Sequence, residues 1–174
     1  MQRVLLSGAP GAGKSSVLGV LRKRGYSVGD DAARDIIRER KSQGLSARPA
    51  APVFARQILD RETTAWGALA SSPCFFERGV PDVAGSLLHL GEIDQDGVDD
   101  LLVTYPYASP VFLFPPWEAI YCTDDERDED FDHATRVYAS VRDWYERCGY
   151  PVYEMPKTSI GERVELLLRA IGQP

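Results

Sequence analysis

Gly8-Ala9-Pro10-Gly11-Ala12-Gly13-Lys14-Ser15 follows at once on the apolar run Val4-Leu5-Leu6, and this stretch decides the fold. It fits G-x-x-x-x-G-K-[ST], the Walker A loop that cradles phosphates. A nucleoside triphosphate brings several negative charges that must be held without a deep cationic pit. Glycines let the backbone curl until its N–H groups point inward and form a concave anion site. The helix expected next aims the positive end of its dipole, and its unpaired first-turn N–H groups, at the same phosphates. Lys14 then reaches the β- and γ-phosphates, and the Ser15 hydroxyl takes one position on Mg²⁺. The expected phosphate-contacting set is Gly8, Ala9, Pro10, Gly11, Ala12, Gly13, Lys14, Ser15 and Ser16.

The flanks supply the context that the motif requires. Val4, Leu5 and Leu6 read as a short, fully buried parallel strand. After the lysine, Val17, Leu18 and Leu21 fall at helical spacing, Arg22-Lys23-Arg24 occupy the last turn, and Gly25 is a C-terminal stop. Strand, loop and helix in one βα unit predict a nucleotide-binding protein rather than a glycine-rich turn that binds nothing.

The 174 residues suffice for a single nucleotide-binding domain spanning 1–174 with a sizeable core. A hydrophobic fraction of 44% and a charged fraction of 26% are those of an ordinary globular chain. The net charge of −6 argues against non-specific nucleic-acid binding, which normally shows a basic surface. Three cysteines, Cys74, Cys122 and Cys148, lack C-x-x-C spacing and suggest reduced thiols in a cytoplasm. The early start of the loop leaves no room for a signal peptide, and no apolar run approaches membrane-spanning length. Only His89 and His133 are present, so the expected metal is Mg²⁺ carried in with the nucleotide, not a protein-built zinc site. None of this bears on oligomeric state.

Along the chain, 25–29 reads as a short second strand ending at Asp30-Asp31, and 31–38 as a helix burying Ala33, Ile36 and Ile37. An acid at the carboxyl edge of a strand in an open α/β sheet points into the ligand crevice. Asp31 is therefore a candidate for catalysis or metal binding, with helix capping as the alternative. Beside it, Arg34 is a candidate phosphate or substrate contact. Residues 42–52 read as a loop, and 53 to about 70 as a long helix through Phe54, Gln57, Ile58, Ala65 and Leu69. Gln57 is carried as a substrate candidate on this helix.

Cys74-Phe75-Phe76 is a brief apolar strand that delivers Glu77-Arg78-Gly79 and then Pro81-Asp82. An apolar strand followed at once by an acid is the Walker B pattern, whose carboxylate holds Mg²⁺ directly or through water. Arg78 emerges at the same carboxyl edge, where it can clamp a phosphate. Asp82 serves either as a helix cap or as a substrate contact. Residues 93–107 form an acidic short helix with Leu101, Leu102 and Val103 inward. Val111-Phe112-Leu113-Phe114 is a buried strand closed by Pro115-Pro116-Trp117.

The stretch from 117 to 132 is polar, and 124–130 holds six acids and one arginine, Arg127. Long unpatterned loops are commonly functional lids. A lid over about 115–136 whose arginine is drawn onto transferring phosphates accounts for that composition, a merely soluble loop being the alternative. Phe131, Ala134, Tyr138, Val141, Tyr145 and Cys148 then mark an amphipathic helix, 150–155 a last strand, and Ser159-Ile160-Gly161-Glu162 a capping box opening a final helix.

With the loop, Asp31-x-x-Arg34, Phe76-Glu77-Arg78-Gly79-x-Pro81-Asp82, the charged lid and Gly149-Tyr150…Pro156-x-x-Ser159 in view, the chain resembles the AAA_28 family of small predicted P-loop ATPases. It is similar in build to nucleoside monophosphate kinases and to the ribosylnicotinamide kinase domain. The resemblance implies a three-layer α/β/α P-loop NTPase fold with a five-stranded parallel sheet in the order 2-3-1-4-5. It also implies ATP with Mg²⁺ at Lys14 and Ser15, acid chemistry at Asp31 and Glu77, and a mobile lid carrying Arg127. Many relatives have glutamate where Asp31 stands and aspartate where Glu77 stands. The resemblance thus leaves open which acid touches metal and which the acceptor.

The expected function is phosphoryl transfer from ATP to a small-molecule acceptor, either a hydroxyl or a phosphate, because that chemistry needs mostly positioning and charge stabilisation. Lys14, Arg78 and Arg127 would neutralise the transferring group, and Asp31 would orient or deprotonate the acceptor. The alternatives are an ATPase or nucleotide-dependent switch acting on a partner protein, and a degenerate module whose acids serve only structure.

Overall fold

The computed structural model describes residues 1–69, 71–121 and 130–173. Five strands, β1 (Arg3–Gly8), β2 (Ser27–Gly29), β3 (Cys74–Glu77), β4 (Val111–Phe114) and β5 (Val152–Glu154), form one all-parallel sheet in the order β2-β3-β1-β4-β5. The helices between them are α1 (Lys14–Lys23), α2 (Ala32–Ser42), α3 (Ala51–Ala68), α4 (Val80–His89), α5 (Gln95–Thr104), α6 (Phe131–Arg147) and α7 (Ile160–Ala170). This is the three-layer P-loop arrangement that the loop and its resemblance imply.

The central strands carry continuous apolar runs because both faces of the sheet are covered. Val4 and Leu6 face the layer of α1 and α7, packing with Val17, Leu21, Val164 and Leu167. Leu5 alternates to the other face and joins Phe76, Val80, Leu113 and Tyr145. Phe75 and Phe76 divide in the same way between the two layers, both buried, and each such ring contributes about 1.5–3 kcal/mol. The parallel register sets Leu6 beside Glu77 and beside Phe112, with Gly8 beside Phe114. Strands β1, β3 and β4 therefore end together, and whatever follows them converges on one edge.

Helix starts follow local chemistry. Asp31, Asp94 and Asp130 each cap the helix that follows, and Ser159 pairs with Glu162 in the expected capping box. Two expectations change. Helix α3 starts two residues earlier than expected, with a proline in its first turn. In α5 the buried residue is Val98, while Val103 is 81% exposed. Val98 and Leu101 share the inward face, and a residue five places after Val98 is turned far from it.

Candidate active site

The loop between β1 and α1 curls through positive φ at Gly8 (112°), Gly11 (71°) and Gly13 (86°). At Gly8 a β-carbon would stand 2.5 Å from the Phe114 carbonyl oxygen and 2.6 Å from its nitrogen, so only glycine lets the loop leave the sheet against β4. The Ala9 N–H ties the loop there, donating to the Phe114 carbonyl at 2.9 Å. Lys14 is 4% exposed and its Nζ donates to the Ala9 carbonyl at 2.7 Å, inside the loop it is expected to serve. Burial, and next the Arg78 cation, pull its ammonium down to about 8, against the opposing pull of Glu77, Asp31 and Asp82.

The Ser15 hydroxyl donates to Glu77 Oε1 at 3.0 Å. A hydroxyl and a carboxylate suit Mg²⁺, which binds through few protein oxygens and takes the rest from phosphates and water. Among the described residues no group of three or more His, Cys, Asp or Glu side chains forms a metal cage.

Arg78 holds the one positive φ of a non-glycine residue among the described residues, 63°, a conformation that costs about 1–2 kcal/mol and is typical of functional sites. Its Nη2 donates to the Gly8 carbonyl at 3.2 Å and its Nη1 pairs with Asp82 at 3.4 Å. Asp82 is fully committed. Its Oδ1 also accepts from the Ser7 hydroxyl, and its Oδ2 from the Tyr145 hydroxyl (2.6 Å) and the Gly79 N–H (3.1 Å). The acid thus orients Arg78 and starts α4. Asp31 caps α2, its Oδ1 accepting from the N–H groups of Ala33 (3.0 Å) and Arg34 (3.2 Å). Capping does not remove it from the crevice.

Two cavities open on this edge. The first, about 790 Å³, runs over the loop from Pro10 to Ser16 and past Arg34, Glu77, Trp117 and Arg163. The second, about 970 Å³, lies among α3, α4 and α6 and reaches Glu62, Asp82, Ser86 and Trp144. They share Asp31, Ala33, Phe54, Arg78, His133 and Val137. The two form one cleft with a waist at Asp31 and Arg78.

A phosphate loop of this geometry on a 2-3-1-4-5 sheet is matched along most of the chain by one family model, AAA_28, described as an AAA domain and covering residues 3–163. The chain belongs to the AAA_28 family. No curated protein sequence matches it. Solved structures share its fold. Deoxyadenosine kinase from M. mycoides with bound dATP is 12% identical with a TM-score of 0.61, covering 99% of this chain and 100% of that one. Thymidylate kinase from Candida albicans is 14% identical at 0.64, covering 98% and 90%. Shikimate kinase from Acinetobacter baumannii in complex with shikimate is 16% identical at 0.56, covering 98% and 93%.

Of the residues proposed from sequence, this AAA_28 chain brings Pro10 to Ser16, Asp31, Arg34, Glu77 and Arg78 to the first cavity and Asp82 to the second, while Gly8 and Ala9, held against Phe114, line neither. Gln57 is not brought to the cleft. It is exposed, in a separate depression with Glu39, Arg40 and Arg61 between α2 and α3, because it is one helical step off the face of α3 that carries Phe54 and Ile58. Arg127, with Cys122, lies outside the described residues, as do residues 122–129 of the expected lid; of its flanks, Glu118–Ile120 is a single 3-10 turn, and 131–136 belong to the start of α6 rather than to a loop.

Two buried charges were missed. Glu62 is 3% exposed in the wall of the second cavity. Its signal was present, an acid on the stripe Ala55, Ile58, Leu59, Ala65, Trp66 and Leu69, where helical spacing calls for an apolar residue. Burial, and then Asp82 and Asp31, push its carboxyl up to about 8. Arg163 is also 3% exposed, its Nη1 donating to the Ala12 carbonyl at 2.9 Å and its guanidinium lying near the Phe114 and Trp117 rings. Burial lowers its pKa, and its Nε is a buried donor left without a partner. It sits immediately before the apolar run Val164, Leu167 and Leu168, which gives an arginine no mark of its own.

Proposed function

We propose that this chain is an ATP- and Mg²⁺-dependent small-molecule kinase built as one P-loop nucleotide-binding domain, with the phosphoryl donor over the loop and the acceptor in the cavity among α3, α4 and α6. The observation that carries this reading is the shared waist. A phosphate at the loop and an acceptor in the second cavity meet where the two cavities share their lining, and Asp31 and Arg78 are the carboxylate and guanidinium found there. The similar folds of deoxyadenosine, thymidylate and shikimate kinases support the kinase reading.

In this mechanism the amides of residues 11–16 and Lys14 hold the β- and γ-phosphates, with Gly8, Ala9 and Pro10 shaping the loop behind them. Ser15 and Glu77 hold the magnesium ion, which when bound offsets charge on the phosphates. Arg78, fixed by Asp82 and the Gly8 carbonyl, faces the transferring group without needing to reorganise. Asp31 keeps its Oδ2 for the acceptor while Oδ1 caps α2, and Arg34 supplies a further cation to the donor side. Arg127 is assigned to the lid that closes over the phosphates. Among the described residues no helix is long and apolar enough to cross a membrane, and Cys74 and Cys148 are unpaired, which supports a cytoplasmic setting.

The test is labelled transfer from MgATP to a panel of alcohols and phosphate esters, alongside calorimetry of the non-hydrolysable ATP analogue. Stimulated, product-forming turnover supports the kinase. Tight nucleotide binding with turnover indifferent to every acceptor, and a stable co-purifying protein, would instead identify a nucleotide-dependent switch.

A further inference from the structure

The acceptor half of the cleft has an acidic inner wall that the mechanism above leaves unexplained. Asp31 enters from the start of α2, Asp82 from α4 and Glu62 from α3, all lining one cavity. The guanidinium near them, Arg78, is already engaged by Asp82 and the Gly8 carbonyl. Nothing in the packing of the hydrophobic layer requires Glu62. Its neighbours on the helix stripe are Ile58, Leu59, Ala65 and Trp66, where a leucine would complete the pattern.

We propose that Glu62 is a specificity-determining residue of the acceptor half of the cleft, and that with Asp31 it restricts the nucleophile to an alcohol on an uncharged or cationic molecule, excluding phosphate monoesters. The inference rests on the kinase reading and narrows it.

The chemistry differs between the two acceptor classes. An alcohol must lose a proton as it attacks, so a carboxylate at the point of transfer assists it. A phosphate monoester has a second pKa near 6 and is already mostly dianionic at neutral pH. It needs no base, and beside Asp31 and Asp82 it meets like charge, while a protonated Glu62 offers it no cation. In the transfer, the alcohol oxygen forms a bond to the γ-phosphorus while the bond from that phosphorus to the β–γ bridging oxygen breaks. ADP leaves with that electron pair, and the hydroxyl proton passes to Asp31.

The groups facing Glu62 are the Ala32 N–H, which it accepts, Asp31, Asp82, Arg78 and the nearby Tyr107 hydroxyl. Two of its three charged neighbours are acids, and they add to burial in holding its proton in place. A carboxyl in that state both donates and accepts, which suits hydroxyl or amide groups of an acceptor and repels no neutral one. The basic side chains lining this cavity on α4 and α6, among them the arginines Arg136 and Arg147, belong to exposed residues, and Arg147 is paired with Asp143 at 3.0 Å.

The experiment offers matched pairs with MgATP: deoxyadenosine and its 5′-monophosphate, thymidine and its 5′-monophosphate, thiamine and thiamine monophosphate. The expected result is a monophosphate formed from at least one alcohol and no diphosphate from any monophosphate. For the alcohol that reacts, Glu62→Ala should raise its KM tenfold or more with the KM for ATP within twofold, and Glu62→Gln, which keeps the shape and a donor–acceptor pair, should restore it to within threefold. A diphosphate product, or an acceptor KM unmoved in Glu62→Ala, overturns the assignment while the kinase stands. ATP turnover indifferent to both members of every pair removes the kinase reading and this inference with it.

Discussion

Glu62 offers the sharpest physical test, because an acid kept in a wall of apolar residues should leave a pH signature on stability. An ordinary glutamate ionises at 4.5, whereas burial with Asp82 and Asp31 nearby moves Glu62 up to about 8. As pH rises above 4.5 the unfolded chain releases this proton and the folded chain keeps it. The folded state therefore loses stability progressively between pH 4.5 and about 8, and the penalty is absent in more acidic solution. At 1.36 kcal/mol per tenfold, the loss is about 1 kcal/mol at pH 5 and about 3 kcal/mol at pH 7. Glu62→Gln removes the titration and keeps the size. Relative to the parent chain it should gain about 2 kcal/mol between pH 5 and pH 7, or roughly 4–8 °C in Tm for a chain of this length. Paired thermal or urea unfolding curves at pH 5, 6, 7 and 8 measure it. A difference between the two proteins that stays constant over this range would refute the reasoning, since only a group that titrates differently in the two states can change it.

Other substitutions separate chemistry from structure. Asp31→Asn keeps a helix cap, so stability should change by less than about 1 kcal/mol and binding of the ATP analogue should persist, while kcat falls about 10²–10⁴-fold; unchanged turnover would return Asp31 to a purely structural role. Arg78→Ala removes a fixed cation beside the transferring group and should lower kcat about 10²–10³-fold, with the analogue's Kd within about tenfold. Gly8→Ala drives a β-carbon into the Phe114 backbone at 2.5 Å from a residue with φ of 112°. It should lower unfolding stability by at least about 2 kcal/mol, read by thermal denaturation. Lys14→Ala should abolish measurable binding of the ATP analogue by calorimetry and leave the circular dichroism spectrum intact, because among the described residues its Nζ bonds within its own loop.

The order of elements was legible because each signal was local. Val4-Leu5-Leu6, the glycine loop and the Val17–Leu21 spacing lie within a few residues of one another, and so do the Ser159–Glu162 box and the apolar pairs of β3 and β4. Glu77 and Arg78 were readable for the same reason, as the residues that a short buried strand delivers at its carboxyl end. Gln57 and Glu62, both polar residues of α3, differ in helical phase, which the apolar stripe shows; what is not local is that α2 and α4 pack so that one lies in an outer depression and the other in the cleft. Arg163 is a similar case, 151 positions from the Ala12 carbonyl it binds.

The sequence alone determined that a curled, glycine-rich loop stands between a buried strand and a helix in the form suited to phosphates, since backbone curvature and helix polarity are written in adjacent residues. Tertiary structure alone decided that Asp82 is consumed in holding Arg78, that Asp31 and Arg78 form the waist of a two-part cleft, and that a lone acid on an apolar stripe faces the second cavity. Those outcomes depend on which helices the parallel crossovers bring to one edge of the sheet, and burial among distant partners is a property that no short stretch of chain carries.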